Sequence, residues 1–336
     1  MTTLWQWNLR QLTRRIWVPI AAYGVVGLAA ALVAAAVPPL LPADWKGLLA
    51  ANSVSTILQI LASSMLTVTT FSVSIMLSAF GSAASGATPR ATPLLRADPV
   101  TQRVLATFMG AFIFSLVSII GLESGLYQAE GRLLIFAVTL VVLFAIVVQL
   151  VRWIGHLSDY GRLPDTIARV EAAATKALAD RMQHPFLCGR HLDAAGLALA
   201  AKGRGVAARE TGYVQVIDMQ ALESAAATAG VTLAILSLPG AFVHPGVELA
   251  RIMPPAPTGD ALPDAICAGF AIAPTRTFDQ DPRFGLLALT EIASRALSPA
   301  VNDPGTAIDI LGRQLRVLSR WSGRQSPDLR FPRLLV

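Results

Sequence analysis

The chain has 336 residues, of which 54% are hydrophobic and only 14% charged, against about 25% charged in soluble domains. Its net charge is +6, but the basic residues flank apolar runs instead of forming a stripe interleaved with aromatics, which excludes a nucleic-acid-binding surface. Two cysteines, Cys188 and Cys267, exclude a disulfide framework and fit a reducing compartment.

The charge is unevenly spread. Residues 1–158 hold nine Lys/Arg and four Asp/Glu, and residues 159–336 hold eighteen and seventeen. This step predicts a four-helix transmembrane domain over 1–158, a helical linker over 159–200 and a cytosolic α+β domain over 201–336.

Four apolar runs, 16–37, 54–80, 104–127 and 133–154, reach the roughly 20 residues that cross a hydrocarbon core about 30 Å thick. Only Glu123 lies inside one, about a turn from its end. A charge at a helix centre costs about 2.5–3.5 kcal/mol on insertion, and helices apolar all round belong in lipid or a buried core. The first run, with 22 residues, exceeds the roughly 7–15 apolar residues of a signal peptide and reads as an uncleaved anchor. Arg10, Arg14, Arg15, Arg90, Arg96, Arg103, Arg152 and Arg162 fall before the first run, in the second loop and at the end of the fourth run, all on one side of the spans, while the first and third loops carry only Lys46 and Arg132. That pattern predicts both termini in the cytoplasm. Trp5, Trp7, Trp17, Trp45 and Trp153 stand near span ends, where interfacial anchors stand.

The second span carries a polar stripe. Ser55, Gln59, Ser63, Thr67, Thr70, Ser74 and Ser78 recur at steps of three and four, which places them on one helical face. Such a face either packs against another helix through small hydroxyl side chains or lines a permeation path. The following loop, rich in Gly, Ala, Ser and Pro, reads as a flexible turn with stop-transfer charges. Its alternative is a gate, or a surface for anionic lipid headgroups, made by Pro89, Arg90, Arg96 and Arg103. Asp98-Pro99 reads as the N-cap and first residue of the third span.

In the soluble half, a helix over 163–183 ends at His184-Pro185. A strand over 212–217, a helix over 218–229, a strand over 231–238 and a Pro239-Gly240 turn follow, and 265–278 alternates as a strand does. The run from Gly212 to Leu249 resembles the small barrel-sandwich fold of biotinyl and lipoyl carrier domains. No lysine follows Lys202, so a carrier role is excluded and a barrel-sandwich-like β module remains. Asp281-Pro282 and Asp303-Pro304 read as helix starts. Arg276, Arg283, Glu291, Ser298, Asn302 and Asp303 are the candidate cytosolic site, the plainer reading being helix caps and a Glu291–Arg295 surface pair. Cys188-x-x-His191 has ligand-like spacing, but His156, His184, His244 and Cys267 supply no second pair, so no metal is expected. No phosphate-binding or nucleophile motif implies a cofactor or a catalytic residue.

Two stretches resemble a known family: the second span with its loop, where Pro89-Arg90 and Thr101-Gln102 stand, and ALSPAVNDPGTA at 296–307. They are similar to the bacterial predicted membrane proteins catalogued as domain of unknown function 2254. The resemblance implies four spans of the inner membrane followed by a cytosolic domain, and chains that tend to continue beyond the position of Val336; it carries no activity. Three functions remain: a homo-oligomeric channel or transporter with a cytosolic regulatory domain, a non-conducting sensor or scaffold whose cytosolic domain binds a ligand or protein, and, least favoured, a membrane-bound enzyme using the Asn302-Asp303 region.

Overall fold

The computed structural model of the protein describes residues 3–13, 17–36, 51–127, 129–254, 261–321 and 329–336. Arg14, Arg15, Trp45 and Lys46, used above for anchoring and direction, lie outside them. The chain divides into two compact units, one of residues 11–166 and one of residues 1–10 with 167–336.

Helix α1 (Leu4–Thr13) belongs mostly to the second unit. The first unit is helical: after α2 (Trp17–Ala36) come α3 (Ala51–Gly86), a 3-10 turn (Pro89–Ala91), α4 (Thr92–Arg96), α5 (Pro99–Glu123) and α6 (Ala129–Leu157). Among the described residues, three stretches are long and apolar enough to cross a membrane: Ser53–Gly86, Pro99–Glu123 and Gly131–Leu157. The described apolar part of α2, Trp17–Val33, is shorter. α5 is the centre of this unit, with Val104, Leu105, Ala106, Phe108 and Phe114 buried. α2 lies directly on it. A Cβ added at Gly27 would stand 2.9 Å from the Gly110 carbonyl oxygen, and one at Gly110 would stand 3.0 Å from Tyr23 Cβ. The Tyr127 hydroxyl donates to the Ala31 carbonyl at 3.1 Å.

The segment after the second span, expected as a flexible turn, is helical. Alanine and serine do not stop a helix, and α3 runs on to Gly86. The break comes at Pro89, whose missing N–H suits a first helical position. Thr88 caps the turn by accepting from Arg90 N at 3.2 Å. Trp153 also departs from expectation. It is buried and donates through Nε1 to Ser72 Oγ at 3.1 Å, so it braces α6 on α3 and is no interfacial anchor.

The second unit is mixed. Its elements are α7 (Leu163–Gln183), β1 (Gly189–Arg190), α8 (Ala194–Ala200), β2 (Arg204–Ala207), β3 (Gly212–Ile217), α9 (Met219–Ala229), β4 (Thr232–Ile235), β5 (Phe242–Val243), β6 (Glu248–Met253), α10 (Ala261–Ala268), β7 (Phe270–Ala273), α11 (Pro282–Ala296), α12 (Pro304–Ser319) and β8 (Phe331–Leu335). One sheet has the order β1-β8-β4-β6-β2 and the other β5-β3-β7. β8 runs parallel to β1 and β4; the other pairs are antiparallel. Val214, Ile217, Leu222, Leu233, Ile235, Leu249, Ile252 and Leu334 share one buried core, each large side chain stabilising by about 1.5–3 kcal/mol. Of the strand expected over 265–278, residues 270–273 form one, β7, while 265–268 are the last residues of a helix, α10. Residues 189–190, within the segment read as a helical linker, pair with β8 at the edge of the larger sheet.

Two bonds hold the start of α1 to this unit. Leu4 N donates to Asp218 Oδ2 at 2.7 Å, and Trp7 Nε1 donates to Asp279 Oδ2 at 3.2 Å. Trp7 is therefore tied to the mixed unit instead of standing free as an anchor.

α7, α11 and α12 form a helical layer, with Ala174, Leu178 and Val317 buried together. Glu171 on α7 accepts from Arg313 at 2.7 Å and from Arg316 at 2.9 Å. The Arg316 hydrogen bond, with Arg313 beside it, holds the Glu171 carboxyl below its ordinary range. Below that range the unfolded chain binds a proton more readily than the folded one, so this stabilisation is full above the ordinary carboxylate pKa and is lost as pH falls through the lowered one. Amide exchange in α12 should accelerate on acidification in the native chain and respond less in Glu171→Gln; equal responses would remove Glu171 as the cause.

Candidate functional site

The polar stripe is placed by α3. Successive residues turn 100° about a helix axis, which sets Gln59, Ser63, Thr67, Thr70, Ser74 and Ser78 opposite the buried row of Leu58, Leu61, Met65, Ser72 and Met76. All six are exposed, Ser55 is half-buried, and Ser82 and Ser85 extend the exposed face. The stripe thus points away from the helices of its own unit. Its hydroxyls bond backward along α3: Ser63 Oγ donates to Gln59 O at 3.0 Å, Thr67 Oγ1 to Ser63 O at 3.0 Å, Thr70 Oγ1 to Thr67 O at 2.9 Å and Ser74 Oγ to Thr70 O at 3.0 Å. With the protons spent on the helix, the oxygens face outward as acceptors.

The loop residues do not converge. Arg90 is exposed, the Arg96 guanidinium stands 5.8 Å from the centre of the Phe80 ring, and Arg103 Nε donates to Pro99 O at 3.0 Å. Beside them the Asp98 cap, legible in the sequence, meets partners from the end of α6 that carried no such signal. Asp98 accepts from Thr101 N at 2.8 Å and Thr101 Oγ1 at 2.7 Å, and His156 Nε2 lies 3.0 Å from Asp98 Oδ2. The Tyr160 hydroxyl donates to Leu95 O at 3.0 Å, and its ring stacks near His156 at 5.0 Å. Asp98 thus caps α5 and ties it to the end of α6.

The candidate cytosolic residues fall into two groups at opposite ends of α11, whose 15 residues span about 22 Å. At its start, Asp281 caps the helix by accepting from Arg283 N at 3.1 Å and binds Arg276, whose guanidinium stands 5.0 Å from the centre of the Phe284 ring. Arg181 joins this cluster from α7 by donating to Gln280 O at 3.1 Å, and burial lowers its pKa. At the far end, Ser298 O accepts from Asn302 N at 2.8 Å, and Asp303 N donates to Ala296 O at 2.8 Å. Asn302 has a φ of 49°, a left-handed conformation that asparagine tolerates. Asp303 accepts from Thr306 N at 3.0 Å and from Thr306 Oγ1 at 2.5 Å, which holds its carboxyl below the ordinary range. The motif therefore builds the α11–α12 turn. Glu291 stands between the two ends, so the six residues do not form one site.

Cys188 Sγ lies 3.2 Å from His184 Nδ1, and His191 stacks on Phe186 at 4.7 Å. Among the described residues no group of three His, Cys, Asp or Glu could hold a metal ion.

The family profile described as predicted membrane protein (DUF2254) matches residues 13–333. An uncharacterized protein of Mycobacterium bovis and two of Mycobacterium tuberculosis are 30% identical over 239 residues, which is 69% of this chain and 45% of each relative. The chain thus spans about half the length of these curated relatives. No solved structure matches it. A profile match over nearly the whole chain places it plainly: the protein belongs to the DUF2254 family of predicted membrane proteins.

Proposed function

We propose that the protein is a homo-oligomeric channel or transporter of the bacterial inner membrane, with four spans, both termini in the cytoplasm and a cytosolic regulatory domain. The observation that carries this reading is the direction of the α3 stripe, outward from its own unit. Back-bonded hydroxyls tolerate lipid, but the Gln59 amide does not shed its cost so readily in hydrocarbon. Several copies arranged with α3 around one axis would turn these faces toward each other, and a hydroxyl lining resists the dewetting that closes an apolar constriction. Because the hydroxyl protons are committed to helix carbonyls, the lining would offer acceptors, which suits a cation or a neutral solute that donates hydrogen bonds. Arg90, Arg96 and Arg103 would meet anionic headgroups at the bilayer surface.

Thr70→Val keeps the shape and removes the hydroxyl. In liposomes it should change cation flux several-fold while thermal stability holds, and a cysteine at position 70 should react with a water-borne thiol reagent. No flux, together with protection of position 70, would leave the non-conducting sensor or scaffold in its place.

A further inference from the structure

The loop of residues 275–281 collects bonds from several elements. Thr275 O accepts from Gln215 Nε2 of β3 at 2.6 Å, and Gln280 Oε1 accepts from Ile217 N of the same strand at 3.1 Å. Asp279 Oδ2 accepts from Trp7 Nε1 of α1, Gln280 O accepts from Arg181 Nη2 of α7, and Asp281 caps α11. Arg276, Arg181 and Arg283 stand at this loop, and their charges are not matched alike. Arg276 is matched: its Nε donates to Asp281 Oδ2 at 2.8 Å, and the Phe284 ring lies against its guanidinium. Arg181 is half-buried and has only the neutral Gln280 carbonyl, at 3.1 Å. Arg283, in the first turn of α11, is exposed. Among the described residues no carboxylate lies within ion-pair distance of either. Arginine is seldom taken out of water without an opposite charge. Burial lowers the Arg181 pKa, Asp281 acts against that, and the like charge of Arg283 adds to the lowering. The C-terminal end of α7 favours a cation, which accounts for Arg181 alone and not for a second like charge set beside it.

We infer that Arg181 and Arg283 bind a phosphoryl group beside the 275–281 loop, with the Arg276–Asp281 pair as a fixed frame. A guanidinium presents a fork of donors that fits phosphate oxygens. A phosphoryl group carries about −1.5 to −2 charge near neutral pH, which meets both guanidiniums, whereas one carboxylate would neutralise only one of them. The N-terminus of α11 is not itself the binder, because Asp281 already occupies it. Bound there, the ligand joins α7 to α11 across a loop that also holds α1 through Trp7. The site lies in the mixed unit and does not rest on the α3 stripe.

A soluble phosphate and a lipid headgroup both present this chemistry, and the test separates them. The full-length protein in phosphatidylcholine nanodiscs is titrated calorimetrically with inorganic phosphate at fixed ionic strength, since salt screens exposed charges. Saturable binding is expected. Arg283→Gln should weaken it about tenfold, the loss of one charge-assisted hydrogen bond. Arg181→Lys keeps the charge and loses the fork, so it should weaken binding while melting close to the native chain. Arg190→Gln, an exposed arginine of β1 in the same unit, should bind as the native chain does. Phosphatidic acid added to the nanodiscs should leave the phosphate affinity unchanged where the ligand is soluble. Where the headgroup is the ligand, it should lower that affinity further than phosphatidylglycerol, the control for surface charge, does. Three results would overturn the site: no saturable binding, a loss in Arg190→Gln as large as in Arg283→Gln, or equal binding by the native, Arg181→Lys and Arg283→Gln chains. The last would mean an adventitious ion only.

Discussion

Asp281→Ala should cost about 3–5 kcal/mol, the range for leaving a buried charge without its partner. Asp281 is 1% exposed. Its Oδ2 accepts from Arg276 Nε at 2.8 Å, and its Oδ1 accepts from Arg283 N at the start of α11. Gly240, at a φ of 93°, packs so closely that a Cβ there would stand 2.2 Å from Asp281 Oδ2. Removing the carboxylate strands the Arg276 guanidinium, withdraws the negative charge that Arg181 feels and uncaps a helix, the last worth about 0.5–2 kcal/mol by itself. Asp281→Asn separates these effects. Asparagine caps as well as aspartate does, so the loss it retains measures the ion pair. Denaturant unfolding of the two variants beside the native chain reads the difference. An alanine variant within 1 kcal/mol of native would mean that the cluster does not hold the unit together.

What was legible in the sequence is what acts over a few residues. Asp98, Asp218, Asp281 and Asp303 each cap a helix three or fewer residues ahead, and aspartate before a helix announces that directly. Apolar length announced α3, α5 and α6. The spacing of Ser63, Thr67, Thr70 and Ser74 showed that they share a face, but periodicity is relative to the helix axis and cannot say which side meets neighbours. Contacts between distant parts carried no such signal. Glu171 meets Arg313 across 142 residues, and Trp7 meets Asp279 across 272. β8 joins β4 and β1 from the last residues of the chain, and a five-residue strand containing Pro332 and Arg333 has little pattern of its own. The end of α10 was read into the strand that became β7 because a short apolar run looks the same at either period until its partners are known. Trp153 was mistaken for an anchor because its position near a span end is shared by interfacial and buried tryptophans alike; its bond to Ser72 decides the matter.

Gly110→Leu should separate α2 from α5 and give the largest loss in the apolar unit. Lipid tails are as apolar as side chains, so helices in a bilayer associate through close packing and hydrogen bonds and not through the hydrophobic effect. The α2–α5 contact is of that kind. A Cβ at Gly110 would stand 3.0 Å from Tyr23 Cβ and 3.1 Å from Tyr23 O, one at Gly24 would stand 2.8 Å from Ile113 Cδ1, and one at Gly27 would reach the Gly110 carbonyl. Overpacking costs about 1–3 kcal/mol in a well-packed core; here the obstacle includes backbone, which cannot rotate aside. Displacing α2 also removes the acceptor of the Tyr127 hydroxyl, the Ala31 carbonyl, and leaves a buried donor unpaired for a further cost of about 1–3 kcal/mol. Gly155→Leu on α6 is the matched control, since a Cβ at Gly155 meets nothing within 4 Å. Thermal unfolding in detergent should show Gly110→Leu melting well below the native chain, Gly155→Leu close to it and Gly110→Ala between them. If Gly110→Leu melts with Gly155→Leu, α2 does not rest on α5 at these glycines, and the packing of the first apolar helix must be drawn differently.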